Sequence, residues 1–111
     1  MNAPDLSATV MEKLLRVFAD YPELTQVTLF GSRATGKASA RSDIDLATHG
    51  IVDDGRLGRL ALDLADLDIP QICDLKAYEH VVYAPLKRHI DTFGITIYAK
   101  QEMSDGEACR E

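Results

Sequence analysis

Asp43 and Asp45 stand one residue apart at the start of DIDLATH, residues 43–49, where polar and apolar side chains alternate. Successive side chains of a strand point to opposite faces, so residues i and i+2 share one. As a strand, this stretch brings Asp43 and Asp45 together and turns Ile44 and Leu46 to the other face, where a core should lie. Two carboxylates this close repel, and keeping both ionised costs free energy unless a cation sits between them. The natural occupant is a hard divalent ion with oxygen ligands, Mg2+ or Mn2+, its shell completed by water and phosphate oxygens. Taken alone, SDIDL is far more often a solvated strand face. The residues before it change that balance.

Those residues are LFGSRATGKASAR, positions 29–41. Gly31 allows a sharp turn and a close approach of backbone. Ser32 offers a hydroxyl and a backbone N–H. A helical turn after it would aim more N–H groups at the same spot, which suits an anion. Arg33, Lys37 and Arg41 add positive charge to a chain of net charge −6. An anion cradle beside a cation site describes a Mg2+–nucleoside triphosphate. A third carboxylate is expected, and Asp74 in QICDLKA, residues 71–77, is the candidate. It is a lone charge among Ile72, Cys73 and Leu75, and burying an unpaired carboxylate in a sheet is expensive. A strand-end aspartate facing water is the plainer reading. The company of Asp43 and Asp45 favours a metal ligand.

The elements that must position these groups follow from the hydrophobic pattern. Residues 6–19 carry Val10, Leu14 and Phe18 at helical spacing, with Thr9 and Glu12 as a capping box or Asp5 or Ser7 as an earlier cap. QVTLF, residues 26–30, is a short buried strand closed by Gly31. Residues 31–42 form a loop with room for one helical turn, and 43–49 form the second strand. Asp53 or Asp54 precedes Leu57, Leu60, Ala61, Leu64 and Leu67, a second amphipathic helix ended near Pro70. Residues 71–77 make a third strand. Pro85 starts a short helix with Leu86 and Ile90, stopped by Gly94. ITIYA, residues 95–99, is the fourth strand. The order predicts one small α/β (α+β) domain over residues 1–100, a mixed sheet flanked by helices, with a polar, frayed tail at 101–111. Strand pairing order does not follow from the pattern.

Composition narrows the function. A chain of 111 residues holds one small domain, and 46% hydrophobic content supports a packed core. Net charge −6 gives no general attraction to nucleic acid, so direct nucleic-acid binding is not expected and any phosphate must be held locally. No apolar run reaches membrane-spanning length and no secretory pattern opens the chain. Cys73 and Cys109 are too few and too differently placed for a disulfide framework, which points to a reducing cytoplasm. His49, His80 and His89 have no spacing for metal or triad chemistry and are taken as ordinary surface or strand-end histidines.

GSRATG followed by SDIDLA, and then by an aspartate in a later strand, resembles the DNA polymerase β-like nucleotidyltransferase superfamily. The short chain resembles its minimal nucleotidyltransferases, the MNT group, over about residues 10–98. The resemblance implies a mixed sheet with the active site on one face. Asp43 and Asp45 would hold two Mg2+ ions, and Asp74 would join the ion that activates the attacking hydroxyl. Gly31 and Ser32 would bind the β- and γ-phosphates of ATP, with Arg33 as a further triphosphate contact. Lys37 and Arg41 are equally well plain loop charges. MNT proteins are commonly paired with a helical HEPN-domain toxin, so the resemblance also implies an antitoxin that transfers AMP to a hydroxyl, often a tyrosine, of that partner.

Tyr78, Val81, Val82 and Tyr83 could border such a partner, although core packing is the leading reading for them. Two rivals stand beside the enzyme: a nucleotidyltransferase fold that neutralises a toxin by contact alone, and a transferase acting on a small molecule. The clustered carboxylates favour the enzyme, since a pure binder has no need of them. The acceptor, the choice of ATP over other triphosphates and the homo- or hetero-oligomeric state are left open by the sequence.

Overall fold

The computed structural model describes residues 4–39 and 42–100. Arg41, Cys109 and the tail 101–111, to which expectations attach above, lie outside the described residues. The first helix, α1, spans Ala8–Phe18 and buries Val10, Leu14 and Phe18, the residues spaced for it. Its cap is Ser7, whose hydroxyl accepts the Val10 N–H at 3.2 Å; the Thr9–Glu12 pair is not the cap. The strands are β1 (Gln26–Phe30), β2 (Ile44–His49), β3 (Cys73–Ala77) and β4 (Ile95–Ala99). Between them come α2 (Ser32–Thr35), α3 (Asp54–Ala65) and α4 (Ala84–Phe93).

Asp53 caps α3 by accepting the Gly55 N–H at 3.2 Å. The helix stops at Ala65, short of Pro70, although Leu67 and Ile69 still pack on the core. Their N–H groups donate back two or three residues, Ile69 to the Leu67 carbonyl and Leu67 to the Leu64 carbonyl, in tighter turns than a helix makes. The helical pattern therefore runs past the helical backbone. Pro85 sits in the first turn of α4 and Gly94 follows its end, as expected.

The sheet order is β3-β2-β1-β4. β1 is antiparallel to both β2 and β4, and β2 is parallel to β3. Parallel neighbours need a crossover, and α3 supplies it. The alternation of β1 and β2 splits the core into two. Val27, Leu29, Ile44 and Leu46 pack with Leu14, Phe18, Leu60 and Leu64 of α1 and α3. Phe30 and Ala47 face the other way and meet Ile90 of α4. α4 shields only part of that second face, and the uncovered part carries the aspartates.

Tyr78 and Val81 pack against the second cluster, but Val82 is 92% and Tyr83 67% exposed. The core reading of that segment therefore holds for its first half and fails for VVY beyond Val81. No helix among the described residues is long and apolar enough to cross a membrane.

Candidate active site

Register decides which charges meet. In the ladder Phe30 pairs with Asp45, and Asp45 pairs with Asp74. Cα partners in neighbouring strands place side chains on the same face. Asp74 thus shares the face of Asp45, and Asp43 precedes it by two residues on that same side. Asp45 is half-buried, while Asp43 and Asp74 are exposed. Burial, then the charges of Asp74 and Asp43, raise the pKa of the Asp45 carboxyl above the ordinary aspartate value; Lys76 and His89 act weakly the other way. Its neighbours are therefore close enough to oppose its ionisation.

Lys76 partly offsets this negative charge. Its Nζ lies 3.7 Å from Asp74 Oδ2 with both side chains substantially in solvent, a geometry of small energetic weight. Burial, and then the Asp43 charge, push the Cys73 thiol up to about 11, which keeps it protonated at neutral pH.

Gly31 joins β1 to α2 at φ 75° and ψ −154°, a region open in practice only to glycine. A Cβ there would overlap Asp45 Oδ2, so the turn lies directly against the carboxylate. The single turn of α2 starts at Ser32, with the Gly31 carbonyl accepting the Ala34 and Thr35 N–H groups at 3.1 and 3.2 Å. Ser32 remains partly exposed at the head of the turn.

Arg33 has a different place from the triphosphate contact expected of it. It is only 4% exposed. Its Nε donates to the Ser42 carbonyl at 3.1 Å, Nη1 to Asp5 at 2.7 Å and Nη2 to Ser39 at 3.2 Å. The guanidinium fastens the loop leading into β2 to the segment before α1. A lysine carries its three donors on a single nitrogen and cannot span such a fork. Arg33→Lys is expected to lower stability by about 2 kcal/mol, because a buried cation loses most of the carbonyl partners that the guanidinium reaches. Denaturant melts would read that loss. A triphosphate ligand would instead weaken nucleotide binding with stability unchanged.

His89 also departs from its expected role. The Gly31 N–H donates to His89 Nε2 at 3.0 Å, which brings a residue of α4 to the glycine turn. No sequence signal announces this, since it depends on how α4 crosses the sheet. His49 and His80 are unremarkable by comparison: the first stacks on Tyr78 at 4.6 Å, and the second lies 3.8 Å from Asp54.

The donor chemistry fits a divalent cation. Asp43, Asp45 and Asp74 supply only hard carboxylate oxygens, and the opposed ionisation of Asp45 is what a cation would relieve. Among the described residues no group of three or more acidic, histidine or cysteine side chains is already drawn into a ligating arrangement. Two of these carboxylates are exposed, so their side chains can turn without disturbing the core.

Residues 12–103 match the family described as Polymerase beta, Nucleotidyltransferase. No curated protein matches the sequence. Among solved structures, a chain of a toxin–antitoxin crystallised with AMP-PNP is 26% identical, with TM-score 0.67 over 82% of this chain and 74% of that one. A chain of a mutant MntA–HpeT toxin–antitoxin is 28% identical, with TM-score 0.63 over 86% and 75%. A chain from a complex of tri-AMPylated Shewanella oneidensis HEPN toxin with MNT antitoxin shares the fold at 23% identity, with TM-score 0.62 over 83% and 71%. The mixed four-stranded sheet, the glycine turn against its carboxylate and the match along most of the chain agree: this protein belongs to the polymerase beta nucleotidyltransferase family.

Proposed function

We propose that the protein is a Mg2+-dependent nucleotidyltransferase that transfers AMP from ATP to a hydroxyl, a tyrosine in the leading case, of a HEPN-domain toxin, and so acts as its antitoxin. The observation that carries this reading is the register of Asp45 beside Asp74, with Asp43 ahead of it and the Gly31 turn against it. The toxin–antitoxin structures that resemble this chain, one with AMP-PNP and one with an AMPylated HEPN toxin, support the choice of nucleotide and partner.

In this reading Gly31 and Ser32 bind the β- and γ-phosphates, Ser32 through its hydroxyl and N–H and Gly31 through the close approach that its missing side chain allows, its own N–H being given to His89; this orients the α-phosphorus toward the carboxylates. Asp43, Asp45 and Asp74 are the residues that would hold two Mg2+ ions, which when bound supply Lewis-acid chemistry at phosphorus. The acceptor oxygen bonds to the α-phosphorus as the bond to the β-phosphate oxygen breaks. Pyrophosphate leaves with the electron pair, and the hydroxyl proton passes to water. Arg33 holds the loop that leads into β2.

The test is incubation with Mg2+, labelled ATP and the HEPN protein, followed by intact mass. The expected result is one AMP on each modified site, no transfer without Mg2+, and no transfer by a variant carrying Asp43→Ala and Asp45→Ala. A double variant that still neutralises the toxin at equal dose would replace this reading with neutralisation by contact.

A further inference from the structure

His89 is carried by α4, whose neighbouring Ile90 is buried against Phe30 and Ala47. Its ring packs edge-on to Phe30, with centroids 6.2 Å apart at 76°, and lies 5.3 Å from Phe93. With these contacts the ring presents Nε2 to the Gly31 N–H at 3.0 Å. Nε2 is the acceptor in this bond, which places the ring hydrogen on Nδ1.

Gly31 needs such a restraint. A glycine reaches many backbone conformations that other residues do not, so a glycine turn is loose unless its peptide groups are tied. On one side Gly31 abuts the Asp45 carboxylate, and on the other its amide is tied to α4. We propose that His89 is a positioning residue for nucleotide binding: by accepting the Gly31 N–H it fixes the Phe30–Gly31 peptide, and so the backbone entry into the turn that receives the triphosphate. The inference rests on the assignment of that turn to the triphosphate, and it makes α4 a functional part of the site.

The test compares His89→Leu, which keeps bulk and removes the acceptor, with His89→Gln, whose Oε1 reaches about as far as Nε2. His89→Asn, a shorter acceptor, is the second disabling variant should the leucine fail to fold. Two quantities are read: hydrogen exchange of the Gly31 amide relative to that of Leu29, and calorimetric affinity for Mg2+–AMP-PNP.

His89→Leu or His89→Asn should speed Gly31 exchange and weaken AMP-PNP binding, each by about tenfold, the order of effect for one hydrogen bond left unmade. His89→Gln should return both to within about threefold. Unchanged Gly31 exchange in the disabling variants would overturn the proposal. So would faster exchange with unaltered affinity, or a glutamine variant no better than leucine. If the unaltered protein binds no AMP-PNP, the nucleotidyltransferase reading fails first, while the exchange rates still decide whether His89 holds the turn.

Discussion

Asp45→Asn should abolish transfer and at the same time make the metal-free protein more stable. The loss of activity is expected at about 100-fold or more, the scale on which removing one preorganised electrostatic group slows a reaction. The gain in stability has a separate cause. Burial and the charges of Asp74 and Asp43 raise the folded-state pKa of Asp45, so its ionisation opposes folding. For a carboxyl shifted this way, stability is greatest below the ordinary value of 3.8 and falls as pH rises through the higher folded-state value. Asparagine carries no such charge. The variant should therefore be the more stable at neutral pH, by about 0.5 kcal/mol, the low end for relieving an unfavourable charge because solvent screens a half-buried group.

The advantage should shrink toward zero as pH drops to the unfolded-state value. Urea melts at a series of pH values, without divalent ions and with EDTA, would measure it. Adding Mg2+ should raise the melting temperature of the unaltered protein and leave the variant nearly unmoved. A variant less stable than the parent at neutral pH would show that Asp45 is a structural carboxylate and not one awaiting a cation.

Gly31→Ala should be the most damaging single change in the loop. Two effects act, and their sizes differ. Backbone at φ 75° and ψ −154° strains any residue with a Cβ by about 1–3 kcal/mol. The new methyl also overlaps Asp45 Oδ2 and comes within 3.2 Å of Asp45 Cγ. The carboxylate is the free end of a side chain and can rotate away, so the overlap adds little to the folding cost but moves the group that the chemistry needs. The expected outcome is a stability loss of about 2 kcal/mol, most of it backbone strain, with nucleotide affinity and transfer both lost. A double-mutant cycle with Asp45→Ala separates the terms. Removing the carboxylate should recover little stability. Full recovery would mean that the overlap, and not the strain, dominates.

Much of this was legible along the chain because it depends on local periodicity. Val10, Leu14 and Phe18 announce α1 by spacing alone, and QVTLF and ITIYA announce strands by their β-branched content. Alternation in DIDLATH was enough to put Asp43 and Asp45 on one face. The places where local reading misled are those where a side chain finds a partner far away. Arg33 looked like a phosphate ligand because a basic residue beside Gly-Ser suggests an anion. Carbonyls of Asp5, Ser39 and Ser42 claim it instead, and hydrogen bonds satisfied in the fold leave no mark on sequence. Val82 and Tyr83 looked like core because apolar residues usually are, yet the turn from β3 into α4 carries them outward.

The sequence by itself determined the elements, the turn at Gly31 and the pairing of Asp43 with Asp45, because each depends on neighbours a few residues away. Only the tertiary structure decided that Asp74 stands beside Asp45, that Arg33 clamps a loop and that His89 reaches the Gly31 amide. Those facts depend on strand register and on the crossing of α4 over the sheet. Both are set by burying two hydrophobic clusters on opposite faces at once, a condition on the whole chain that no short stretch of residues expresses.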